Sequence, residues 1–162
     1  MSILSVLMKS DPNEPPSAPR ADCALCSNDG GRVLWRGAYW RLVAVDDPDY
    51  PGYVRLVCNR HVTELGWLAK PERDQLFKLV LAIEEHLQQQ LRPHKINQAS
   101  LGNQTPHFHW HIIPRWTDDP CFPDSIWSAR RNSTTSPELN ARHAAAEAAF
   151  AGLGVLCQKT IY

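Results

Sequence analysis

Three of the chain's seven histidines stand at alternate positions in one segment, Gln104-Thr105-Pro106-His107-Phe108-His109-Trp110-His111-Ile112-Ile113-Pro114. In an extended strand, side chains at i, i+2 and i+4 share one face, with ~6.6 Å between successive positions. Phe108, Trp110 and Ile112 then take the opposite face, against a core. A single histidine there reads as a hydrogen-bonded surface residue; three on one face point to chemistry. Two chemistries fit. The imidazoles can ligate one catalytic metal, or one can act as a nucleophile while the others donate hydrogen bonds to an anion. The neighbourhood favours the second. Asn97, Gly102, Asn103, Gln104 and Thr105 offer amide, hydroxyl and backbone donors, which suit phosphate oxygens. No carboxylate lies close in sequence to complete a metal-binding facial triad.

A second constellation is Cys23-Ala24-Leu25-Cys26, running into Ser27-Asn28-Asp29-Gly30-Gly31. A CxxC before a glycine turn reads as half of a zinc knuckle. A thioredoxin-like redox pair needs a βαβ setting, which is missing. Tetrahedral zinc needs two more ligands, and there is no second CxxC. The alternative is two buried free thiols without metal.

These residues must be carried by elements. Residues 33–35 and 38–45 read as two strands with Arg36-Gly37 as the turn, and 53–58 as a third. The stretch Asp46 to Gly52 is turn chemistry, rich in aspartate and proline. A long helix is expected over 71–91. Pro71 suits its first turn, apolar residues recur at steps of three and four, and Pro93 stops it. Residues 95–101 and 107–114 are two more strands. Ser136-Pro137 opens an alanine-rich helix to about residue 151, with Ser136 as cap. Strands, helix, strands, helix imply an α+β domain with an antiparallel sheet of about five strands, one long helix and a C-terminal helix.

The 162 residues carry 17 Lys+Arg and 17 Asp+Glu, so the formal net charge is zero. That gives no general attraction to nucleic acid or to an anionic membrane, and neither is expected as a partner. At 43% hydrophobic residues the chain is neither collagen-like nor a long disordered polymer. No apolar run reaches the ~18–20 residues of a membrane span. The apolar stretch from Ile3 to Met8 lacks the basic flank and cleavage site of a secretory signal. Five cysteines, an odd number, suggest reduced thiols and a cytoplasmic protein. Residues 1–20, with four prolines, read as a flexible tail. Residues 21–162 read as a single domain with a C-terminal extension from about residue 128.

The segment His107-Phe108-His109-Trp110-His111-Ile112-Ile113 matches, at every position, the histidine-triad pattern His-apolar-His-apolar-His-apolar-apolar. The chain resembles the histidine-triad (HIT) family. Lys95-Ile96-Asn97, Leu101-Gly102-Asn103, Pro106 to Arg115, Pro51-Gly52 and Asn59-Arg60-His61 resemble a bacterial branch of it, so the likeness spans about residues 22–127. It implies a HIT-like fold and a nucleotide hydrolase or transferase, of phosphoramidase or dinucleoside polyphosphate hydrolase type. His109 would attack the α-phosphorus of a nucleotide and form a covalent nucleotidyl-histidine, and His111 would contact the phosphate or the leaving group, with His107 completing the triad. Asn97, Gly102, Asn103 and Gln104 would bind phosphate oxygens. Asp46 would bind the ribose hydroxyls, although Asp46 and Asp47 equally suit turn formation. Val45 and Leu56 would flank a base or belong to the core. Arg115 would meet a distal phosphate, and Trp116 and Trp127 would line the site, a dimer interface or the core. Some relatives complete a structural zinc site with a histidine before the long helix and the first triad histidine, here His61 and His107 beside Cys23 and Cys26. A homodimer joining two sheets, and no organic cofactor, are implied as well. Gln104 stands where some members carry a small hydroxyl residue, which leaves the group serving the leaving group open. The alternatives are a metal-dependent enzyme using the three histidines as ligands, and a nucleotide-binding module without turnover.

Overall fold

The computed structural model describes residues 18–162. The expected tail of residues 1–20 lies almost wholly outside them. A short helix α1 (Ala24–Ser27) precedes strands β1 (Arg32–Arg36), β2 (Trp40–Ala44) and β3 (Val54–Cys58). Helix α2 (Lys70–Leu91), strands β4 (Lys95–Ala99) and β5 (His109–Arg115), and helix α3 (Leu139–Ile161) complete the chain. The strands form one antiparallel five-stranded sheet in the order β1-β2-β3-β5-β4. The α+β architecture expected from the sequence is the one observed.

Strand alternation divides the sheet's two faces between different tasks. Trp40, Leu42, Val54, Leu56, Phe108 and Ile112 turn to one face, where they pack in the main core with Leu76, Leu79, Ile83 and Leu87 of α2 and Phe150 and Leu153 of α3. Burying such side chains contributes roughly 1.5–3 kcal/mol each. Leu56 therefore belongs to the core and does not flank a ligand. Val43, Tyr53, Val57 and Ile113 turn to the other face. This second face is covered by α1 and its flanking turns and by the segment after β5, and the histidines lie on it.

Helix α2 starts as the sequence predicts. Its first turn holds Pro71, and the Glu72 carboxylate accepts the Ala69 N–H at 2.6 Å while pairing with Arg60. It ends at Arg92, which takes a left-handed conformation. Helix α3 departs from expectation. It begins at Leu139, after Ser136 Oγ accepts the Glu138 N–H, and runs ten residues past Ala151, to Ile161. Gly152 and Gly154 look like stop signals in sequence. Here they let the helix come close to its neighbours: a Cβ at Gly154 would lie 3.0 Å from the Leu34 carbonyl oxygen, and one at Gly152 3.1 Å from the His86 ring. His86 is half-buried against α3, with Nε2 2.9 Å from the Ala149 carbonyl. None of the helices among the described residues is long and apolar enough to cross a membrane.

Candidate functional site

The three histidines are held differently. His109 and His111 lie two apart on β5 and share a face, their ring centroids 4.7 Å apart. His107 lies before the strand rather than in it. Its N–H bonds the Thr105 carbonyl, and Phe108 exchanges hydrogen bonds with Val62 and Cys58, so the ladder is irregular at this end. The expectation of three imidazoles on one common surface is thereby corrected to two, with the third turned aside.

Hydrogen-bond partners assign the tautomers. A carbonyl can only accept. His107 Nε2, 2.8 Å from the Cys58 carbonyl, therefore carries its proton and leaves a lone pair on Nδ1. His109 Nδ1, 2.6 Å from the His107 carbonyl, donates to it and leaves the lone pair on Nε2. His111 Nδ1 lies 2.5 Å from the Tyr53 hydroxyl. Burial lowers all three imidazole pKa values, His107 to about 4 and His111 to about 3, so the rings are neutral near pH 7. Burial also pushes the Tyr53 phenol up to about 12 and keeps it protonated.

Around this pair stand residues that sequence spacing alone does not assemble. Arg55 on β3 is the register partner of His111, and Val57 that of His109. The Arg55 charge further disfavours protonation of both imidazoles. Trp127 sets its ring against His111 at 5.1 Å while 51% of the residue stays exposed. On the far side, Ala99 of β4 pairs with His111 and Asn97 with Ile113. Asn97 Oδ1 accepts from Arg115 at 2.5 Å, which leaves its amide N–H groups for other partners. Asn97 and Trp127 line the same groove of about 480 Å³ along β4. Gly102, at φ +108°, shapes the β4–β5 loop, in which Asn103 and Gln104 are exposed.

Two expected residues lie elsewhere. Arg115 is 0% exposed and meets no open surface: it forms a bidentate ion pair with Asp119 and donates to the Asp124 carbonyl. Those contacts make it the clamp of the segment after β5. Asp46 is exposed and lines a groove of about 450 Å³ with Arg32, Asp47, His143 and Glu147. Val45 packs toward Tyr53 and Ile113, and Asp46 follows it in the loop after β2.

Cys23, Cys26, His61 and His107, remote in sequence, come together. Their ligand atoms all lie within 4.8 Å of one another. Both cysteine Sγ atoms are 3.5 Å from His107 Nδ1, and Cys26 Sγ is 3.3 Å from His61 Nδ1. A tetrahedral zinc with ordinary bond lengths sets sulfur and nitrogen ligands about 3.6 Å apart. The residues fit a metal in two further respects: the thiolate–imidazole set is of the type zinc prefers, and the proton on His107 Nε2 leaves Nδ1 free to ligate. Among the described residues this is the group that can hold a metal ion, and it includes neither His109 nor His111.

Tyr53 and Arg55 are not among the residues that spacing in the sequence singles out. Both lie on the alternation Tyr53-Val54-Arg55-Leu56-Val57-Cys58, which puts them on one face. Only the pairing of β3 with β5 reveals that this is the histidine face.

Comparison with known proteins supports the same topology. The chain is 29% identical over 123 residues to a Mycobacterium tuberculosis protein named AP-4-A phosphorylase, covering 71% of this chain and 63% of that protein. It is 32% identical over 91 residues to a Saccharomyces cerevisiae bis(5'-adenosyl)-triphosphatase, covering 52% of this chain and 44% of that protein. The chain thus spans less than two thirds of the length of either relative. Among solved structures, a histidine triad protein from Marinobacter aquaeolei VT8 superposes with a TM-score of 0.62 at 23% identity, over 81% of this chain and 91% of that one. The HIT domain profile matches residues 32–118, from β1 through the histidine strand, which is more than half of the 162 residues. With that match and this fold, the chain belongs to the HIT domain family.

Proposed function

We propose that the protein is a nucleotide hydrolase or transferase acting at the α-phosphate of a nucleotide conjugate through His109. The observation that carries this reading is the orientation of His109: its Nδ1–H is tied to the His107 carbonyl at 2.6 Å, which leaves a neutral Nε2 lone pair beside His111. Neutral imidazole is the nucleophilic form. In the first step Nε2 bonds the α-phosphorus while the bond to the leaving group breaks, and the electron pair leaves with that group. The nucleotidyl-imidazole is then a cation, since both ring nitrogens are substituted, and its Nδ1–H donates more strongly to the His107 carbonyl. In the second step water, or another acceptor, bonds phosphorus. The P–N bond breaks, its electron pair returns to Nε2, and the acceptor's proton passes to solvent. With Tyr53 donating to Nδ1, His111 presents an Nε2–H donor to the phosphate or the leaving group. Asn97 and the Gly102-Asn103-Gln104 turn supply further phosphate contacts. The names of the curated relatives support a nucleotide conjugate as substrate. Asp46, exposed after β2, is the proposed ribose ligand, while Asp47 makes the turn hydrogen bond, accepting the Asp49 N–H at 3.0 Å.

Cys23, Cys26, His61 and His107 would hold a zinc ion whose chemistry is structural, because four protein ligands leave no open coordination position. A homodimer through α2 and the β4 edge, in a reducing compartment such as the cytoplasm, completes the reading. The unpaired state of all five cysteines agrees with such a compartment.

The test is AMP release from a diadenosine polyphosphate, an adenosine phosphoramidate and an adenylylated lysine, comparing wild type with His109→Ala. The expected result is a loss of at least ~10³-fold in the variant, with a wild-type adduct of one adenylyl group trapped by acid quench. Binding of AMP without turnover by either protein would instead make it a nucleotide-binding module.

A further inference from the structure

Arg115 is engaged beyond what an ion pair requires. Its Nε and Nη2 form the bidentate pair with Asp119, and Nη2 also donates to the Asp124 carbonyl at 2.9 Å. The Asp119 carboxylate accepts the Cys121 and Phe122 N–H groups as well, so this half of the guanidinium fastens the segment after β5. The charge is balanced there. Nη1 turns the other way and donates to Asn97 Oδ1 at 2.5 Å, a contact that neutralises nothing. Its effect is to orient an amide. By shape alone Asn97 could face Arg115 with either its oxygen or its nitrogen. A guanidinium only donates, so the flipped amide would set N–H against N–H and strip Nη1 of its acceptor. Oδ1 is therefore held toward Arg115.

The register says where the nitrogen then goes. Lys95 is opposite Arg115, Asn97 opposite Ile113 and Ala99 opposite His111. Arg115, Ile113 and His111 are alternate residues of β5, so Asn97 stands on their face, between the guanidinium and His111. On a planar amide carbon oxygen and nitrogen diverge. With Oδ1 toward Arg115, Nδ2 lies on the His111 side, and Asn97 borders the groove along β4. Among the described residues no protein group accepts a hydrogen bond from Nδ2. We propose that Arg115 is a positioning residue for the phosphate subsite: by holding Oδ1 it makes Asn97 present N–H donors, and no lone pair, to a substrate phosphate. The inference rests on the nucleotidyl-transfer reading above, in which Asn97 contacts phosphate, and adds the residue that sets the polarity of that contact. A freely turning amide would offer an anion its oxygen as readily as its nitrogen, whereas a fixed one is preorganised for negative charge. Arg115 itself is fully buried and touches no substrate.

The experiment is a double-mutant cycle on the full-length chain: wild type, Arg115→Lys, Asn97→Ala and the double variant, each checked by thermal unfolding. Lysine keeps a charge beside Asp119 but has no fork to reach Asn97 at the same time. The readouts are kcat/KM for diadenosine tetraphosphate and AMP affinity by calorimetry. Arg115→Lys should lower kcat/KM ~10–30-fold and weaken AMP binding at least ~5-fold. In the Asn97→Ala background the same change should cost less than ~2-fold in either, because no amide is left to orient. Losses that add, or no loss from Arg115→Lys alone, overturn the proposal, since a residue that only fastens the segment after β5 gives the additive result. If Arg115→Lys does not fold, NMR of the wild-type side-chain amides decides: a shift of the Asn97 Nδ2–H signals on adding AMP upholds the orientation, and unmoved signals overturn it. If wild type binds AMP but turns nothing over, the nucleotidyl-transfer reading fails by itself, and the cycle in AMP affinity decides on Arg115. Absence of both turnover and AMP binding overturns the two together.

Discussion

Each histidine of the triad owes its role to what holds its second nitrogen. A carbonyl at His107 Nε2 aims a lone pair at two thiols, and a carbonyl at His109 Nδ1 aims one at the open face. His111 has a phenol instead, Tyr53, at 2.5 Å. A phenol kept protonated by burial can donate to Nδ1, and in the proposed mechanism this holds His111 as the Nε2–H tautomer, with Tyr53 as a positioning residue. Tyr53→Phe keeps the ring packing and removes only the hydroxyl. The expected outcome is a fall in kcat of about 10-fold with KM changed less than about 2-fold, since a donor aimed at developing charge acts in the transition state. The melting temperature should stay within a few degrees of wild type. Nitrogen-15 NMR of the imidazoles reads the tautomer directly: in wild type His111 should appear as Nε2–H, and in Tyr53→Phe as a mixture. A fall in stability without the tautomer change would mean that Tyr53 only packs. At this scale the triad spacing and the CxxC were legible in the residues themselves, because their spacing is local. Tyr53, Arg55 and the burial of Arg115 were not, because they depend on which strands are neighbours.

The elements explain why distant residues meet. Alternation and proline placement located the strands and both ends of α2, whose boundaries follow from local chemistry. Helix α3 extends past the end expected near residue 151, and a close approach to the Leu34 carbonyl explains Gly154 once β1 is in place. The cysteine–histidine group joins α1, the turn after β3 and the start of the histidine segment; the last two are already bonded through Phe108, whereas α1 lies outside the sheet ladder. A metal there would fasten three connections at once, and its binding free energy would add to folding. Protein purified without chelator should contain about one zinc per chain. Cys23→Ser should lose that zinc and lower the melting temperature by more than about 5 °C. EDTA added to folded wild type should leave most turnover intact, because no reaction step uses the ion. Rapid loss of activity on chelation, with the fold intact by circular dichroism, would instead place the metal in the chemistry.

At the scale of the whole molecule the two ends of the sheet are not equivalent. The β1 edge is tied to α3 by Arg32–Glu147 and the packing around Gly154. Among the described residues the β4 edge carries no sixth strand, and an unpaired edge is a template for another chain. Beside it, α2 exposes Phe77 (47%) and Leu81 (57%), with Phe77 edge-on to Trp110. A second copy related by a two-fold axis would pair β4 with β4 and bury these side chains twice over. Burying a leucine and a phenylalanine contributes roughly 1.5–3 kcal/mol each, so the symmetric contact gains enough to offset much of the cost of association. Wild type should therefore sediment as a dimer at micromolar concentration. Leu81→Glu would insert two carboxylates into the contact, one from each copy, and should shift the protein to monomer. Leu81 is exposed within one chain, so the monomer's own core is untouched and its circular dichroism should match wild type. The groove holding Asn97 and Trp127 also borders β4, so dissociation should reach the site: AMP release by Leu81→Glu should fall with dilution more steeply than that of wild type. Sedimentation of wild type as a monomer across that range would remove the dimer from this reading and leave the histidine site to stand on one chain.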